Sequence, residues 1–315
     1  MENKTTVTYF VLLGFSYSPP VQMFLFCTFF LIYAVTLMGN MMIIAAVRSN
    51  SHLHSPMYFF LSHLSFIDIF TSSVMVPNLL LNFYASKTIS YSGCIAQMFF
   101  ILLTGATEEF VLAAMAYDRY TAICKPMYYV KVMNSVVCKS LVGGAWMISC
   151  LYALTNALPL LKLLFCGPNT IQHFSCELPS LLALSCTETS QNTMTFFISS
   201  CTVAAPLFLV ILVSYVHIIS TVLKMNSAEA RRKTFSTCSS HLIVVILFFG
   251  TGSFRYMRPS SASSLIVDDF FSIQYSISTP MLNPIIYSLN TRAVREAIKK
   301  LIGCKPLMAH VMQKC

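Results

Sequence analysis

Three carboxylates lie in apolar stretches of the sequence, where a charged side chain is costly and needs a partner or a function. They are Asp68, Glu108 and Glu109. Asp68 and Glu108 could enclose a sodium ion, or a cluster of waters, together with neutral oxygen donors from other apolar stretches. These donors are Asn40, Ser65 and Asn283. The alternative is that one or more of the acids is protonated and hydrogen-bonded. Glu109 has no assigned role.

A second group of residues could form a switch. Asp118 and Arg119 are neighbours at the end of an apolar stretch, where a local ion pair can hold a guanidinium until a partner competes for it. An ion pair without a switching role is the alternative. Pro284 directly follows Asn283 and should kink the last apolar stretch, which could then act as a hinge. A basic cluster opens the sixth apolar stretch: Arg231, Arg232 and Lys233.

The sequence carries no pattern for metal-dependent or nucleophilic catalysis. His52 and His54 lie close together, but no further His or Cys follows at zinc-ligand spacing. Neither a G-x-S-x-G nucleophile elbow nor a G-x-x-x-x-G-K-[ST] phosphate loop occurs. We interpret His217, Cys238 and His241 as packing or interface residues. An enzyme is not expected, and sodium is the only candidate cofactor.

Composition indicates that these residues are positioned by membrane-spanning helices. The 315 residues are 56% hydrophobic and 10% charged, with a mean hydropathy of +0.71, which is far too apolar for a soluble domain. A spanning helix takes about 20 to 25 residues. The apolar stretches predict seven spans, at residues 21–47, 57–84, 94–122, 138–161, 193–223, 234–257 and 267–289. We predict an all-α membrane protein, with a seven-transmembrane helix bundle over residues 21–290.

Basic residues predict the orientation of this bundle. With the N-terminus outside, fifteen of the twenty Lys and Arg residues fall on the cytoplasmic side, as the positive-inside rule requires. The net charge of +9 then reflects cytoplasmic loops rather than a nucleic-acid partner. Residues 1–20 form an extracellular N-terminus, in which Asn3 opens a glycosylation sequon. No cleaved signal peptide is expected, and the first span acts as the insertion signal.

The tail, residues 291–315, begins with an amphipathic pattern. Basic residues lie off a stripe of apolar residues at helical spacing: Val294, Ala297, Ile298, Leu301 and Ile302. This pattern predicts a short amphipathic helix on the inner leaflet, with membrane lipid as its partner. Cys304 follows directly and is either acylated or an ordinary reduced cysteine.

Four of the twelve cysteines fall on the predicted outer side, where disulfides are stable. They are Cys94, Cys166, Cys176 and Cys186. Four cysteines allow three connectivities, and the sequence does not choose among them. A bridge from Cys94 to the loop at 162–192 would hold that loop over the bundle and shape an entrance. Free cysteines are the alternative.

Six motifs spread over almost the whole chain carry a family signature. The third span ends in MAYDRYTAIC, from Met115 to Cys124. The others are Gly39-Asn40, LHSPMYFFL (53–61), LSFID (64–68), KTFSTCSSHL (233–242) and PMLNPIIYSLN (280–290). Together they resemble the odorant receptors, the olfactory branch of the rhodopsin-like (class A) G-protein-coupled receptors. One motif alone would be weak, whereas the set is very specific.

The resemblance implies a ligand cavity inside the bundle, where small residues make room and apolar residues provide burial. The family's pocket positions match Ile101, Leu102, Gly105, Ala106, Ser199, Ser200, Val203, Phe249, Gly252, Ser253, Tyr256, Ile273 and Ser276. Amine receptors carry an acid at the position of Ile101. We therefore expect a neutral, mostly apolar small-molecule odorant, bound weakly because it has few atoms.

The resemblance also implies an activation mechanism. In related receptors the residue matching Arg119 turns toward the G protein, while those matching Tyr215 and Tyr287 move inward to support it. The switch and coupling set is Asp118, Arg119, Tyr120, Tyr215, Arg231, Arg232, Lys233, Asn283, Pro284 and Tyr287. Ligand would shift a population toward the active bundle. A stimulatory, olfactory-type G protein would then raise cyclic AMP.

Further expectations come from the same family. Receptors of this fold hold sodium near the positions matching Asp68 and Glu108, beside Asn40 and Asn283. The expected disulfides are Cys94–Cys176 and Cys166–Cys186. A trafficking chaperone is an expected partner, and the expected location is the plasma membrane of olfactory cilia.

Two departures from the family pattern stand out. Phe249 replaces the usual Tyr, which puts a polar trigger there in doubt, and Tyr9 stands where an acidic residue is common. The alternative function is a receptor of the same fold for an endogenous metabolite outside the nose. A transporter or channel is disfavoured because the sequence has no repeated halves.

Overall fold

The computed structural model describes residues 7–14, 18–84, 87–166, 169–257 and 272–311. Helices dominate this part of the chain. They are α1 (Pro19–Ser49), α2 (Pro56–Tyr84), α3 (Tyr91–Cys124), α4 (Tyr129–Val132), α5 (Ser135–Ala157), α6 (Leu178–Leu182), α7 (Ser190–Leu223), α8 (Ala228–Met257), α9 (Thr279–Asn290) and α10 (Arg292–Val311). A π-helical turn, Gln274–Ser278, leads into α9.

Seven of these segments correspond to the seven predicted spans. Within the described residues, α1, α2, α3, α5 with its extension to Lys162, and α7 are long and apolar enough to cross a membrane. The apolar part of α8 is shorter, Cys238–Gly252, because basic residues occupy its first turns. The last span is divided between the π turn and α9. The predicted seven-helix bundle is confirmed.

Helix α3 lies at the centre of the bundle. It packs against α2, α5, α7 and α8, and 67% of its most apolar stretch is buried, compared with 28% for α1 and 6% for α7. The outer helices therefore present apolar side chains to their surroundings, among them Phe24, Phe30 and Val213. A continuous apolar exterior of this kind suits the hydrocarbon of a bilayer rather than water.

Two disulfides mark one end of the bundle, which we call the disulfide end. Cys94 at the start of α3 is bonded to Cys176, with Cα atoms 5.4 Å apart. Cys166 is bonded to Cys186, with Cα atoms 5.6 Å apart. Both pairs are those that the family resemblance implied. The first bond fixes the loop between α5 and α7 over the bundle.

A three-stranded sheet covers the disulfide end. Its strands are β1 (Tyr9–Leu12), β2 (Thr88–Ser90) and β3 (Thr170–Ile171), in the order β2-β1-β3. Strand β1 pairs antiparallel with β2 and parallel with β3. Phe10 and Leu12 of β1 are fully buried. The sequence analysis assigned no structure to residues 1–20, because a strand of four residues is too short to give a periodic pattern.

The opposite end, which we call the Arg119 end, is closed by α10. Val294 and Ala297 are buried, and α10 packs against α1, while Arg295 and Lys299 are exposed. The amphipathic helix after the last span is therefore confirmed. Asn3 and the Cys304 side chain lie outside the described residues.

Candidate functional site

A polar cluster lies around Asp68 in the middle of the bundle. Asp68 is fully buried on α2, and the Asn283 amide of α9 donates to both of its carboxylate oxygens, at 3.1 and 3.0 Å. Glu108 of α3 is buried and lies close enough to Asp68 for the two charges to interact. The structure thus brings together Asp68, Glu108 and Asn283.

Asn40 enters this cluster through the kink at Pro284. A proline at position 284 cannot donate to the carbonyl of residue 280, one turn earlier. The Asn40 amide donates to that Pro280 carbonyl at 3.1 Å. The neighbouring Gly39 allows the approach, because a Cβ atom there would lie 3.0 Å from Pro284 Cγ. The Gly39-Asn40 pair therefore fits α1 against Pro284 and satisfies the Pro280 carbonyl, to which Pro284 cannot donate.

Several buried oxygen atoms here lack a hydrogen-bond partner among the described residues. They are Asn40 Oδ1, Glu108 Oε1, Asn283 Oδ1 and the Tyr287 hydroxyl. Buried acceptors without a partner are costly, and oxygen donors suit hard cations or water. The described residues contain no group of three His, Cys, Asp or Glu side chains that could hold a metal. The donor set fits a monovalent cation bound mainly by neutral oxygens.

Glu109 takes a different position from its neighbour Glu108. Adjacent residues of a helix point about 100° apart, and Glu109 is only half-buried where Glu108 is buried. The structure does not bring Glu109 into the Asp68 cluster.

Arg119 is held by its neighbour at the other end of α3. Its Nε donates to Asp118 Oδ2 at 2.9 Å, and Nη2 contacts the same oxygen. Asp118 is fully buried, whereas the Arg119 side chain keeps 14% of its surface exposed. Because the acid is on the same helix, the guanidinium can turn away from it without any helix having to separate.

Tyr129 of α4 holds Asp118 from the other side. Its hydroxyl donates to Asp118 Oδ1 at 2.8 Å. Burial and the nearby carboxylate raise the pKa of Tyr129. The phenol therefore stays protonated at physiological pH and keeps donating to Asp118. The sequence motif gives no sign of this residue, which lies outside MAYDRYTAIC.

His241 links three helices behind Arg119. Its Nδ1 lies 2.6 Å from the Tyr215 hydroxyl of α7, and its Nε2 lies 3.1 Å from the Leu112 carbonyl of α3. The carbonyl can only accept, so Nε2 carries the proton and Nδ1 accepts from Tyr215. His241 is fully buried. It fixes α8 against α3 and α7, which is one form of the packing or interface role expected from the sequence.

The remaining switch residues surround this junction. Tyr287 is buried in the same core cluster, and the Tyr120 ring lies 5.6 Å from that of His217. Arg231 and Arg232 are exposed on the first turns of α8. The Lys233 side chain lies outside the described residues.

A small cavity lies near the disulfide end, between α3, α7, the π turn and the loop that carries Cys176. Ile101 and Leu102 line it, as the resemblance implied, together with Glu177 and Tyr275. Its volume is about 20 Å³, room for about one water. The Tyr275 hydroxyl lies so close to Gly105 that a Cβ atom at this position would clash with it. Tyr275 therefore fills the space that the small residue on α3 leaves.

Glu177 fastens the loop over this cavity. It is buried, and its Oε1 accepts from Ser272 at 2.7 Å and from Ser175 at 3.2 Å. The adjacent Cys176 amide donates to Gln97 Oε1 at 3.0 Å. Neither Glu177 nor Tyr275 belongs to the set predicted from the sequence. An acid directly after a disulfide cysteine was the available signal for the first.

The other predicted pocket residues do not line this cavity. Ser199 accepts from Asn156 at 3.1 Å and Ser200 lies 3.0 Å from the Tyr152 hydroxyl, so both face α5. Phe249 packs against Phe208. The remainder are buried or half-buried in the bundle: Ala106, Val203, Gly252, Ile273 and Ser276. The side chains of Ser253 and Tyr256 lie outside the described residues.

Comparison of this sequence with known proteins shows the family to which the chain belongs. The family model described as "Olfactory receptor" matches residues 29–305. Human Olfactory receptor 5A1 is 47% identical over 308 residues, covering 98% of each chain. Human Olfactory receptor 1M1 is 43% identical over 304 residues, covering 96% of this chain and 97% of that protein.

The fold comparison agrees with the helix bundle. The crystal structure of squid rhodopsin superposes with a TM-score of 0.70 at 17% identity, covering 91% of this chain and 87% of that one. The family consists of receptors, which confirms the prediction that the chain is not an enzyme. The chain belongs to the olfactory receptor family of G-protein-coupled receptors, and it is a membrane protein with a small-molecule ligand and a G-protein partner.

Proposed function

We propose that this chain detects a small, neutral, largely apolar volatile and activates a stimulatory heterotrimeric G protein that raises cyclic AMP. The observation that carries the proposal is the continuity of α3. This helix supplies Ile101, Leu102 and Gly105 near the cavity and Asp118 and Arg119 at the other end. One central helix therefore joins the ligand site to the switch.

Ligand binding requires the cavity to expand. Sites for small molecules have volumes of about 300 to 1,000 Å³, compared with about 20 Å³ here. The Tyr275 hydroxyl against Gly105 is the obstacle. We infer that the odorant displaces Tyr275, takes up the space beside Gly105 and packs on Ile101 and Leu102. Glu177 offers an acceptor for a ligand hydroxyl.

Displacement of Tyr275 would reach the switch through the last span. Tyr275 lies in the π turn, and Asn283, which holds Asp68, lies two helical turns further along the same span. A shift there would loosen the polar cluster and then the His241 junction that holds α8. Arg119 would be released toward the G protein. Ligand favours this state by its differential affinity for it.

Orientation and location complete the proposal. The disulfide end faces outward, as the oxidising compartment and the excess of basic residues at the Arg119 end both favour. Arg231 and Arg232, which are exposed, then face the cytosolic G protein, and we expect Lys233 to belong to the same basic cluster. We expect a plasma-membrane location in the cilia of olfactory neurons, and delivery there with a trafficking chaperone.

The test is cyclic AMP in cells that co-express the receptor, an olfactory trafficking chaperone and the stimulatory G protein. Neutral volatiles, amines and carboxylic acids are applied, with surface receptor measured in parallel. A dose-dependent response to neutral volatiles that Arg119→Ala abolishes at equal surface level supports the proposal. A response confined to amines would refute the ligand class, and a full response in Arg119→Ala would refute the switch.

We also propose that the Asp68 cluster holds sodium. The unpartnered oxygens of Asn40, Glu108, Asn283 and Tyr287 support this. Purified receptor should unfold at a higher temperature in sodium chloride than in N-methyl-D-glucamine chloride at equal ionic strength. Asp68→Asn should remove the difference. Equal unfolding temperatures of the wild type in the two salts would instead favour waters or protonated acids.

A further inference from the structure

Glu109, the third intramembrane acid, takes part neither in the Asp68 cluster nor in the Arg119 switch. It is half-buried on α3, and among the described residues its carboxyl group forms no hydrogen bond and no ion pair. A carboxyl group within a membrane span is costly, and such groups are typically paired or functional. Glu109 therefore has hydrogen-bonding capacity left for a ligand.

Helix geometry places Glu109 directly below the ligand cavity, on its Arg119 side. Leu102 lines the cavity, and Gly105 lies against the Tyr275 hydroxyl. Residues 102, 105 and 109 follow the i, i+3, i+7 spacing of one helix face. At about 100° per residue, Glu109 points within about 20° of the direction of Leu102. Helical side chains lean toward the N-terminus, which for α3 is the disulfide end, so the carboxyl group is directed back toward Gly105.

On this face Glu109 meets the seam between α7 and α8. Tyr120, which points within about 20° of the direction of Glu109, lies against α7. Leu112, three residues after Glu109, contacts α8 through its carbonyl. Across the seam the Phe208 ring of α7 lies 5.7 Å from the Phe249 ring of α8. Neither phenyl ring can donate a conventional hydrogen bond, so the seam is apolar.

The ligand group that suits this acid is a hydroxyl. A carboxyl group accepts hydrogen bonds when it is ionised, and it both donates and accepts when it is protonated. A hydroxyl can match either state, whereas an ether can only accept and an ammonium group can only donate. Glu177, the other acid near the cavity, already accepts from Ser175 and Ser272.

We propose that Glu109 is a specificity-determining residue that selects odorants with a hydroxyl group. The inference rests on the proposed function, because it requires the displacement of Tyr275 described there. The hydroxyl then passes Gly105 and forms a hydrogen bond with Glu109. The apolar part of the odorant packs on Ile101 and Leu102. The ligand class is thereby narrowed from neutral volatiles to alcohols and phenols that bind with the polar end inward.

A matched series of compounds tests this residue in cells that express the full-length receptor. Hexanol, octanol and ethylphenol are each compared with the methyl ether and the primary amine of the same skeleton, by cyclic AMP at a measured surface level. Wild type should respond to the hydroxyl compounds at concentrations at least about tenfold lower than to their ethers, the effect of one such hydrogen bond. Glu109→Met keeps the length of the side chain and should abolish this preference. Glu109→Gln can still donate and accept, and should keep it.

Glu188→Gln is the matched control, because it removes an exposed acid that does not line the cavity, and it should leave the preference unchanged. Equal potency of hydroxyl compounds and ethers in the wild type would overturn the proposal, even if Glu109→Met failed to reach the surface. So would an intact preference in Glu109→Met, or its loss in Glu177→Gln alone. A response to ethers without one to hydroxyl compounds would overturn only this inference. Silence toward every neutral compound, or a response confined to amines, would overturn the proposed ligand class as well.

Discussion

One buried side chain, His241, does more at the Arg119 end than its sequence context suggests. It joins α3, α7 and α8 through two hydrogen bonds, to the Leu112 carbonyl and the Tyr215 hydroxyl. A sequence cannot show this junction, because Leu112 and His241 are 129 positions apart. Ser272, which donates to Glu177, is likewise 95 positions away, whereas Tyr129 is only 11 positions from Asp118 but lies outside the motif. Asp118 and Arg119 were found because they are adjacent.

Replacing His241 with Phe should raise ligand-independent cyclic AMP severalfold. The ring volume is kept while both hydrogen bonds, each contributing about 1 kcal/mol, are lost, so α8 separates more easily from α3. Tyr215→Phe removes one of the two bonds and should give a smaller increase at the same surface level. Unchanged basal signal in His241→Phe would show that the junction is not a restraint on activation.

Gly105 tests how the cavity opens. In Gly105→Ala the new methyl clashes with the Tyr275 hydroxyl, so Tyr275 must turn away as we infer that it does for an odorant. Basal cyclic AMP should therefore rise. The next atom of Tyr275, Cζ, lies 3.7 Å from that methyl position, an ordinary contact, so adding Tyr275→Phe should restore the basal level.

Gly143→Ala is the matched control, because a Cβ there meets nothing within 4 Å. It should leave basal cyclic AMP unchanged. If Gly105→Ala also does so at equal surface level, displacement of Tyr275 is not part of activation.

At the scale of elements, long apolar helices are predictable and short strands are not. The prediction of 57–84 for the second span compares with Pro56–Tyr84 for α2, because a bilayer imposes a long apolar stretch on every span. Strand β1 has no such requirement. Its partners β2 and β3 come from distant loops, so only the folded chain brings them together. The π turn could not be predicted from the sequence either, because its residues are also found in ordinary α-helices.

Strand β1 should matter for delivery of the receptor to the surface. Phe10 is fully buried and its ring lies 5.4 Å from that of Phe165. Phe10→Ala should cost about 3 to 5 kcal/mol of stability and sharply reduce surface receptor, measured by antibody staining of intact cells. Tyr9→Ala alters the neighbouring side chain, which is 49% exposed, and should have little effect. If Phe10→Ala reached the cell surface at the level of the wild type, β1 would not be needed for delivery of the receptor.

For the whole molecule, composition and motifs were enough to predict the seven-helix fold and the family, and both are confirmed. The ligand-binding residues stay a prediction. Of the thirteen positions that the resemblance implied, Ile101 and Leu102 line the described cavity. Which helix face turns inward at each depth depends on packing against neighbours, and apolar residues lie on every face of a membrane helix.

The Cys94–Cys176 disulfide ties this molecule together across 82 positions of sequence. Cys94→Ser should cost about 2 to 5 kcal/mol of stability and greatly reduce surface receptor, and Cys176→Ser should do the same. Cys27→Ser, which removes an exposed free cysteine, should have no effect. Normal surface staining of both disulfide variants would contradict a structural role for this bond.

The sheet at the disulfide end also sets an order of assembly. Strand β1 is among the first segments synthesised, yet Leu12 pairs with Ile171, roughly half a chain later. Until the ribosome has passed that point, β1 has β2 and Tyr91 beside it but lacks β3 and the Phe165 ring that packs on Phe10. A nascent chain stalled before β3 therefore leaves Phe10 and Leu12 only partly covered. Completion of the sheet at the disulfide end therefore requires the fourth span and part of its following loop to have been made.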